Sequence, residues 1–235
     1  MLAIYKREMR SYFTSVIGYV FLVLFLAVAA VIFCFTTLYS MSSDVTSYFT
    51  FMLIFAAITL PLLTMKSFSE ERKARTEQLL LTAPVSIISM VLGKFFAAIT
   101  MFFGAAIFSS FYFFLLMPYA SLKVALLLGN MIALLLVGAT FISIGLFVSS
   151  LTENQLTAAI GTIAIILAFL GISFVNTLLP SAYWLRYVFN CLSLFTRFQT
   201  FTNGIFDLAS LVYYLSVSGI FIYLTVRVYD RRRYN

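Results

Sequence analysis

The sequence predicts an all-α membrane protein of six spanning helices, and three observations carry that prediction. Of 235 residues, 63% are hydrophobic and only 10% are charged, whereas a soluble domain is about 25% charged. Mean hydropathy is +1.07, and apolar runs of about 18 residues or more recur along the chain, each long enough to cross a bilayer. Seven of the 23 charged side chains are concentrated in Lys66–Glu77, between two such runs. Burying that island in lipid costs ~2.5–3.5 kcal/mol per charge, on the order of 20 kcal/mol in all, so it must project into water. A single membrane domain over residues 1–235 is the simplest organisation, because no polar stretch is long enough to enclose a core of its own.

The elements follow in order. Leu2, Tyr5, Met9 and Tyr12 fall on one face of a helix and Lys6 and Arg10 on another, which predicts an N-terminal helix lying in the headgroup layer. The first span is expected at 16–38. Its length exceeds the 7–15 residues of a signal-peptide core, so it is read as an uncleaved crossing. The others are expected at 47–65, with Pro61 near its end, 89–117 ending at Pro118, 124–151, 155–179 ending at Pro180, and 208–228. Thr152-Glu153-Asn154 is a polar break between the fourth and fifth spans. In about 182–199, Arg186, Asn190, Ser193 and Arg197 make a narrow polar stripe opposite Trp184, Val188, Leu192 and Phe195. That pattern predicts an amphipathic helix at the outer surface, or a re-entrant segment broken at Asn203-Gly204.

Orientation follows from the cations. With both termini inside, twelve of the fifteen Lys and Arg are cytoplasmic, leaving Lys123, Arg186 and Arg197 outside. The positive-inside bias therefore predicts cytoplasmic termini, an even number of spans and a cytoplasmic charged island. Only Lys94 and Arg227 lie within spans, near cytoplasmic ends to which they are expected to snorkel. Small residues recur at packing spacing in spans three to five: Gly93, Ala97 and Gly104; Gly138, Ser143 and Gly145; and Gly161, Ala164, Ala168 and Gly171. They permit close helix approach, and the fifth-span stripe is the best candidate for a larger interface.

Within the island, Ser67-x-x-Glu70 has capping-box spacing and predicts a helix start, with Glu71 and Arg75 as a supporting i, i+4 pair. Thr82-Ala83-Pro84 ends that helix, giving a short element over about 67–83 with mixed charge and an apolar tip at Leu79–Leu81. Such an element fits a groove on a second protein, or is a solvated loop that only fixes topology. Histidine is absent, which excludes imidazole metal sites, His proton relays and Ser–His hydrolysis. Cys34 and Cys191 suggest neither a disulfide framework nor a metal site. No G-x-x-x-x-G-K-(S/T) occurs, so the chain does not bind ATP by that device.

Phe68-Ser-Glu70-Glu71-Arg72-Lys-Ala-Arg75-Thr76-Glu77-Gln-Leu79-Leu80-Leu81-Thr82-Ala-Pro84-Val85-Ser86, followed by Gly93-Lys94, resembles the signature of ABC-2-type ABC-transporter permeases. It is similar in particular to the gliding-motility and nitrous-oxide-maturation subunits. The family usually has Gly where this chain has Arg75, a replacement that suits a continuous helix. The resemblance covers essentially the whole chain. It implies a type V exporter-like fold in which the segment between spans two and three is a coupling helix docked on a separate ABC ATPase. On that basis Glu70, Glu71, Arg72, Thr76, Glu77 and Leu80 are the expected coupling residues.

The same resemblance implies two ATPase copies and a second permease copy, as a homodimer or with a close relative. It implies no cofactor in this chain, ATP and Mg being bound by the partner, no catalytic or metal residue here, and a prokaryotic plasma (inner) membrane. It places a substrate pathway between spans two and five of the two permease subunits, lined by Phe51, Phe55 and Thr59, which share a helical face, and by Phe169 and Asn176. The near absence of charge inside the spans favours an apolar or amphipathic substrate, exported. Two other classes compete. An ATPase-independent secondary transporter or channel usually needs intramembrane ionisable groups or interrupted helices. A non-transporting anchor for an ATPase shares the coupling helix and lacks the transport.

Overall fold

The computed structural model describes residues 1–40, 45–78, 86–116, 124–178, 193–204 and 207–234, without the side chains of 174–178 and 234. Helix α1 (Leu2–Thr14) ends where Ser15 turns extended, with φ −95° and ψ 147°. Helix α2 (Val16–Phe33) leaves that elbow and continues as a π-helical turn, Cys34–Tyr39. The longer elements follow as α3 (Val45–Lys73), α4 (Ile87–Leu116), α5 (Val124–Leu151) and α6 (Gln155–Leu178). A short α7 (Leu194–Thr202) precedes α8 (Leu208–Tyr234).

Six of these helices are long and apolar enough to cross a membrane: Val16–Tyr39, Val45–Lys73, Ile87–Leu116, Val124–Leu151, Gln155–Ser173 and Leu208–Arg233. They coincide with the six expected spans. Among the described residues all regular structure is helical. In α5, 67% of the apolar stretch is buried, against 28% in α2 and in α8, so α5 is the central post. Around it pack α3, α8, α6, α4 and α7.

Two kinds of contact hold the bundle. At one end, Phe33, Tyr48, Phe49 and Phe113 form an edge-to-face aromatic cluster joining α2, α3 and α4, with Tyr48 and Phe113 centroids 4.9 Å apart. Such pairs contribute about 0.5–1.5 kcal/mol each beyond their burial. Elsewhere a side chain of one helix lies directly against a glycine of another. A Cβ at Gly145 would stand 2.1 Å from Thr64 Oγ1, and one at Gly138 would stand 2.1 Å from Phe102 Cε1. These two glycines set the α3–α5 and α4–α5 separations, the close approach expected where lipid leaves no hydrophobic drive for association.

Several details depart from the sequence reading. The buried face of α1 is Ile4, Glu8 and Tyr12, whereas Leu2 is exposed. No helix begins at Ser67: α3 runs unbroken from the bilayer through Lys73, because the apolar packing of Ser67, Phe68 and Ser69 continues into the polar segment. The expected element over 67–83 is thus an extension of the second span as far as Lys73, and 79–85 lies outside the described residues. Pro61 sits inside α3 and is buried, so the helix passes through it. Helix ends otherwise follow their polar residues. Asn154 Oδ1 accepts from the Leu156 amide at 3.0 Å, and Asp207 accepts from the Ala209 and Ser210 amides at 3.0 and 3.1 Å. Ser193 accepts from the Thr196 amide, so the described end of the expected amphipathic segment is a capped helix. Its Leu194, Phe198 and Phe201 are buried, and it packs on α5 and α6. Trp184, Arg186, Val188, Asn190 and Leu192 lie outside the described residues.

Candidate functional site

At one end of the bundle, the extension of α3 is fastened by charges to α1, α4, the end of α5 and α8. Lys94 on α4 is 1% exposed. Its Nζ lies 3.0 Å from Glu71 Oε1 and 3.2 Å from Glu8 Oε1, donates to the Ser67 carbonyl at 2.6 Å, and stands 4.8 Å over the Phe68 ring. Arg7 bridges Glu8 at 2.8 Å and also pairs with Glu71. Two cations and two carboxylates thus neutralise one another where α1, α3 and α4 meet. A buried ammonium needs this arrangement: its desolvation is offset only when every donor is satisfied. Burial pushes the Glu8 carboxyl up, but Lys94 and Arg7 outweigh it and hold Glu8 below the ordinary value. Arg7 is raised, its own desolvation being overcome by Glu8 and Glu71. Lys94 therefore does not snorkel to water, as its position near a span end suggested; it is consumed by an internal junction.

The next residue faces the other way. Arg72 donates to the Leu151 carbonyl at 2.9 Å and pairs with Glu153 at 3.0 Å. Arg232 on α8 donates to the Ser150 carbonyl at 2.7 Å and pairs with Glu77 at 3.1 Å. The two guanidiniums thus satisfy carbonyls at the C-terminal end of α5 that have no partner within the helix, where cations are favoured by the macrodipole. Ser149 goes further. Its hydroxyl accepts from the Phe68 and Ser69 amides, both at 3.1 Å, and donates to the Met65 carbonyl at 3.1 Å. A side chain of α5 is thereby inserted into the hydrogen-bond ladder of α3, a recognised cause of helix bending.

Beyond Lys73 the chain turns on Arg75, at φ 57°. The Thr76 amide bonds the Glu71 carbonyl and the Arg75 amide bonds the Arg72 carbonyl, each at 3.0 Å. That pair of bonds is the Schellman helix stop, whose left-handed residue is usually Gly. Arg75 therefore ends a helix instead of continuing one, and the glycine usual at this place in the resembled family is explained by the backbone.

Of the expected coupling residues, Glu71, Arg72 and Glu77 are thus turned inward. Glu70 pairs with Lys66 at 3.3 Å and stays half exposed. Thr76 is exposed at the turn, its hydroxyl donating to the Glu71 carbonyl, and Leu80 lies outside the described residues. The expected pathway residues lie on α3 and α6, and a pathway between two copies lies outside a single chain. Phe51 is exposed; Phe55 packs on Phe25 with centroids 6.2 Å apart; Thr59 is buried and donates to the Phe55 carbonyl at 3.1 Å. Phe169 is partly buried against the core, and the Asn176 side chain lies outside the described residues. Glu8, Ser149 and Arg232 were not singled out from sequence. Lys94 had a signal, being a lysine in an apolar run, but its partners are distant in the chain.

The model of the ABC-2 family of transporter proteins matches residues 2–229. No curated protein matches the chain.

Proposed function

This chain belongs to the ABC-2 family of transporter proteins, and we propose that it is the permease subunit of an ATP-driven exporter whose ATPase is a separate chain. The observation that carries the reading is the Glu71 junction. One short polar extension is bolted by Glu71 to α1 and α4, by Arg72 and Ser149 to α5, and by Glu77 to α8. A load applied to its exposed surface, at Glu70, Lys73, Arg75 and Thr76, reaches four helices at once. Glu70, Thr76 and Leu80 are assigned to the contact with the ATPase, and Glu71, Arg72 and Glu77 to transmission.

ATP and Mg bound by two copies of the partner would drive closure there, and the membrane domain would respond by switching between two packings. A second permease copy completes the pathway. The α6 stripe supports that role: Ala164 and Ala168 are exposed, and a Cβ at Gly171 would meet nothing. Phe51, Phe55, Thr59, Phe169 and Asn176 are assigned to the pathway between the copies, taking an apolar or amphipathic substrate. Arg7, Glu71 and Arg232 stand at one end of the bundle, so both termini share a face with the charged extension. The positive-inside bias assigns that face to the cytoplasm of a prokaryotic inner membrane.

Purification from native membranes tests the reading. A P-loop ATPase is expected to co-purify, to be lost on Glu70→Arg or Thr76→Trp, and to support ATP-dependent substrate movement in vesicles. Co-purification without movement would leave only an anchor, and absence of any ATPase would overturn the assignment.

A further inference from the structure

Between α1 and the extension of α3 lies an open cleft of about 630 Å3. Its walls carry Arg7, Lys66 and Lys94 and also Glu8, Glu70 and Glu71, three cations against three carboxylates. Lys94 and Glu8 are buried, but Arg7 is half exposed, and Lys66 and Glu70, paired with each other at 3.3 Å, are 24% and 45% exposed, so charges of both signs are accessible to a ligand that exchanges for that surface pair. Ser67 also lines the cleft, and its hydroxyl is buried without a hydrogen-bond partner. Immediately deeper along α3, on the far side of the Ser15 elbow, is an apolar groove of about 120 Å3 walled by Ile17, Phe21 and Leu24 of α2 and by Leu62 and Met65 of α3. Met65 closes the groove and Lys66 opens the cleft, so the two are consecutive along one helix.

We propose that cleft and groove together hold one zwitterionic phospholipid of the adjoining leaflet, with its phosphodiester on Lys66 and Arg7, its primary ammonium on Glu70, and the start of an acyl chain in the groove. Three features select this occupant. The polar part lies where α1, an interfacial helix, meets a span, and the apolar part lies on the bilayer side of it. The balanced charge gives a net-anionic headgroup no overall attraction, while a zwitterion meets a partner at each pole. The volume lies within the range of sites that enclose small ligands. The inference rests on this end of the bundle lying at a membrane surface; Glu70 is shared with the proposed ATPase contact, so Lys66→Gln, at a residue outside that contact, is the variant that separates the two readings.

The test uses the full-length chain, delipidated in detergent and offered equimolar phosphatidylethanolamine, phosphatidylcholine and phosphatidylglycerol, with retained lipid read by native mass spectrometry. Phosphatidylethanolamine is expected to be retained about tenfold over phosphatidylglycerol, and Lys66→Gln or Glu70→Gln to lower its retention about tenfold, with Lys66→Arg restoring it. Leu24→Trp, which fills the groove without touching a charge, is expected to lower retention of all three lipids. Equal retention of the three by the native chain, or no effect of either charge variant, would overturn the site. So would expulsion of the lipid by added ATPase together with loss of ATPase binding in Lys66→Gln, since the cleft would then belong to the partner. A chain that retains phosphatidylethanolamine but captures no ATPase would refute the transporter reading and leave this one standing.

Discussion

Lys94 Nζ and Glu71 Oε1 stand 3.0 Å apart at the meeting of α4 and α3, with the lysine almost completely shielded from water. The contact joins two parts of the family-like signature that are separated in sequence, the charged island and Gly93-Lys94. Gly93 belongs to the same joint: a Cβ there would stand 3.1 Å from Ile4 Cγ2, so its absence lets α1 bring Glu8 to the ammonium.

Removing the lysine leaves two carboxylates, Glu8 and Glu71, sharing Arg7 alone. Lys94→Ala is expected to destabilise the chain by about 3 kcal/mol, the cost of breaking a buried ion pair from one side. Unfolding in detergent measures it. Glu8→Gln combined with Lys94→Met should recover part of the loss; strictly additive single effects would show that the two side chains do not interact.

The turn at Arg75 carries backbone strain that glycine lacks. Arg75→Gly is expected to stabilise the fold by about 1 kcal/mol, and Arg75→Val to destabilise it by a similar amount. A lower melting temperature for Arg75→Gly would contradict the left-handed geometry.

Gly145→Ala would drive a methyl into Thr64, and is expected to cost about 1–3 kcal/mol by overpacking. Gly104→Ala, where a Cβ meets nothing, is expected to raise stability by up to about 1 kcal/mol through helix propensity. The pair of melting curves separates close packing from helix propensity.

Acid should loosen the junction through Glu8. Its carboxyl is held below the ordinary value of 4.5, so its contribution is fully present above that pH and is lost as pH falls through the lower folded-state value. Stability measured against pH is expected to be flat from neutrality to about pH 5 and to fall below it, less steeply in Glu8→Gln.

Sidedness is tested directly. Lys73 is exposed at the end of α3. With Cys34 and Cys191 replaced by Ser, Lys73→Cys is expected to react with an impermeant maleimide only after cells are opened. Labelling of intact cells would invert the topology and remove the ATPase contact with it.

The spans were legible because hydrophobic length is a local property, and each crossing from Val16 to Arg233 is written in consecutive residues. The interior of the site was not. Glu8 looks like one polar residue on a surface helix, and Ser149 like one small residue near a span end; their partners lie on α4 and α3, and no periodicity within a helix reveals a contact between helices. Arg75 was misread because propensity favours arginine in a helix, whereas the hydrogen bonds of Arg75 and Thr76 to Arg72 and Glu71 form only once the extension has stopped. The island was recognised as polar, but its division between inward and outward charges required the fold.

The grip of Arg232 on both Glu77 and the Ser150 carbonyl limits what can be transplanted. A chimera that borrows only residues 66–78 to redirect a transporter to a new motor would leave those charges without their counterparts. A functional graft has to bring the parts of α1 and α4 that hold Glu71, the end of α5 and the tail of α8 as well, so the proposed motor-facing surface would be inherited together with four helices.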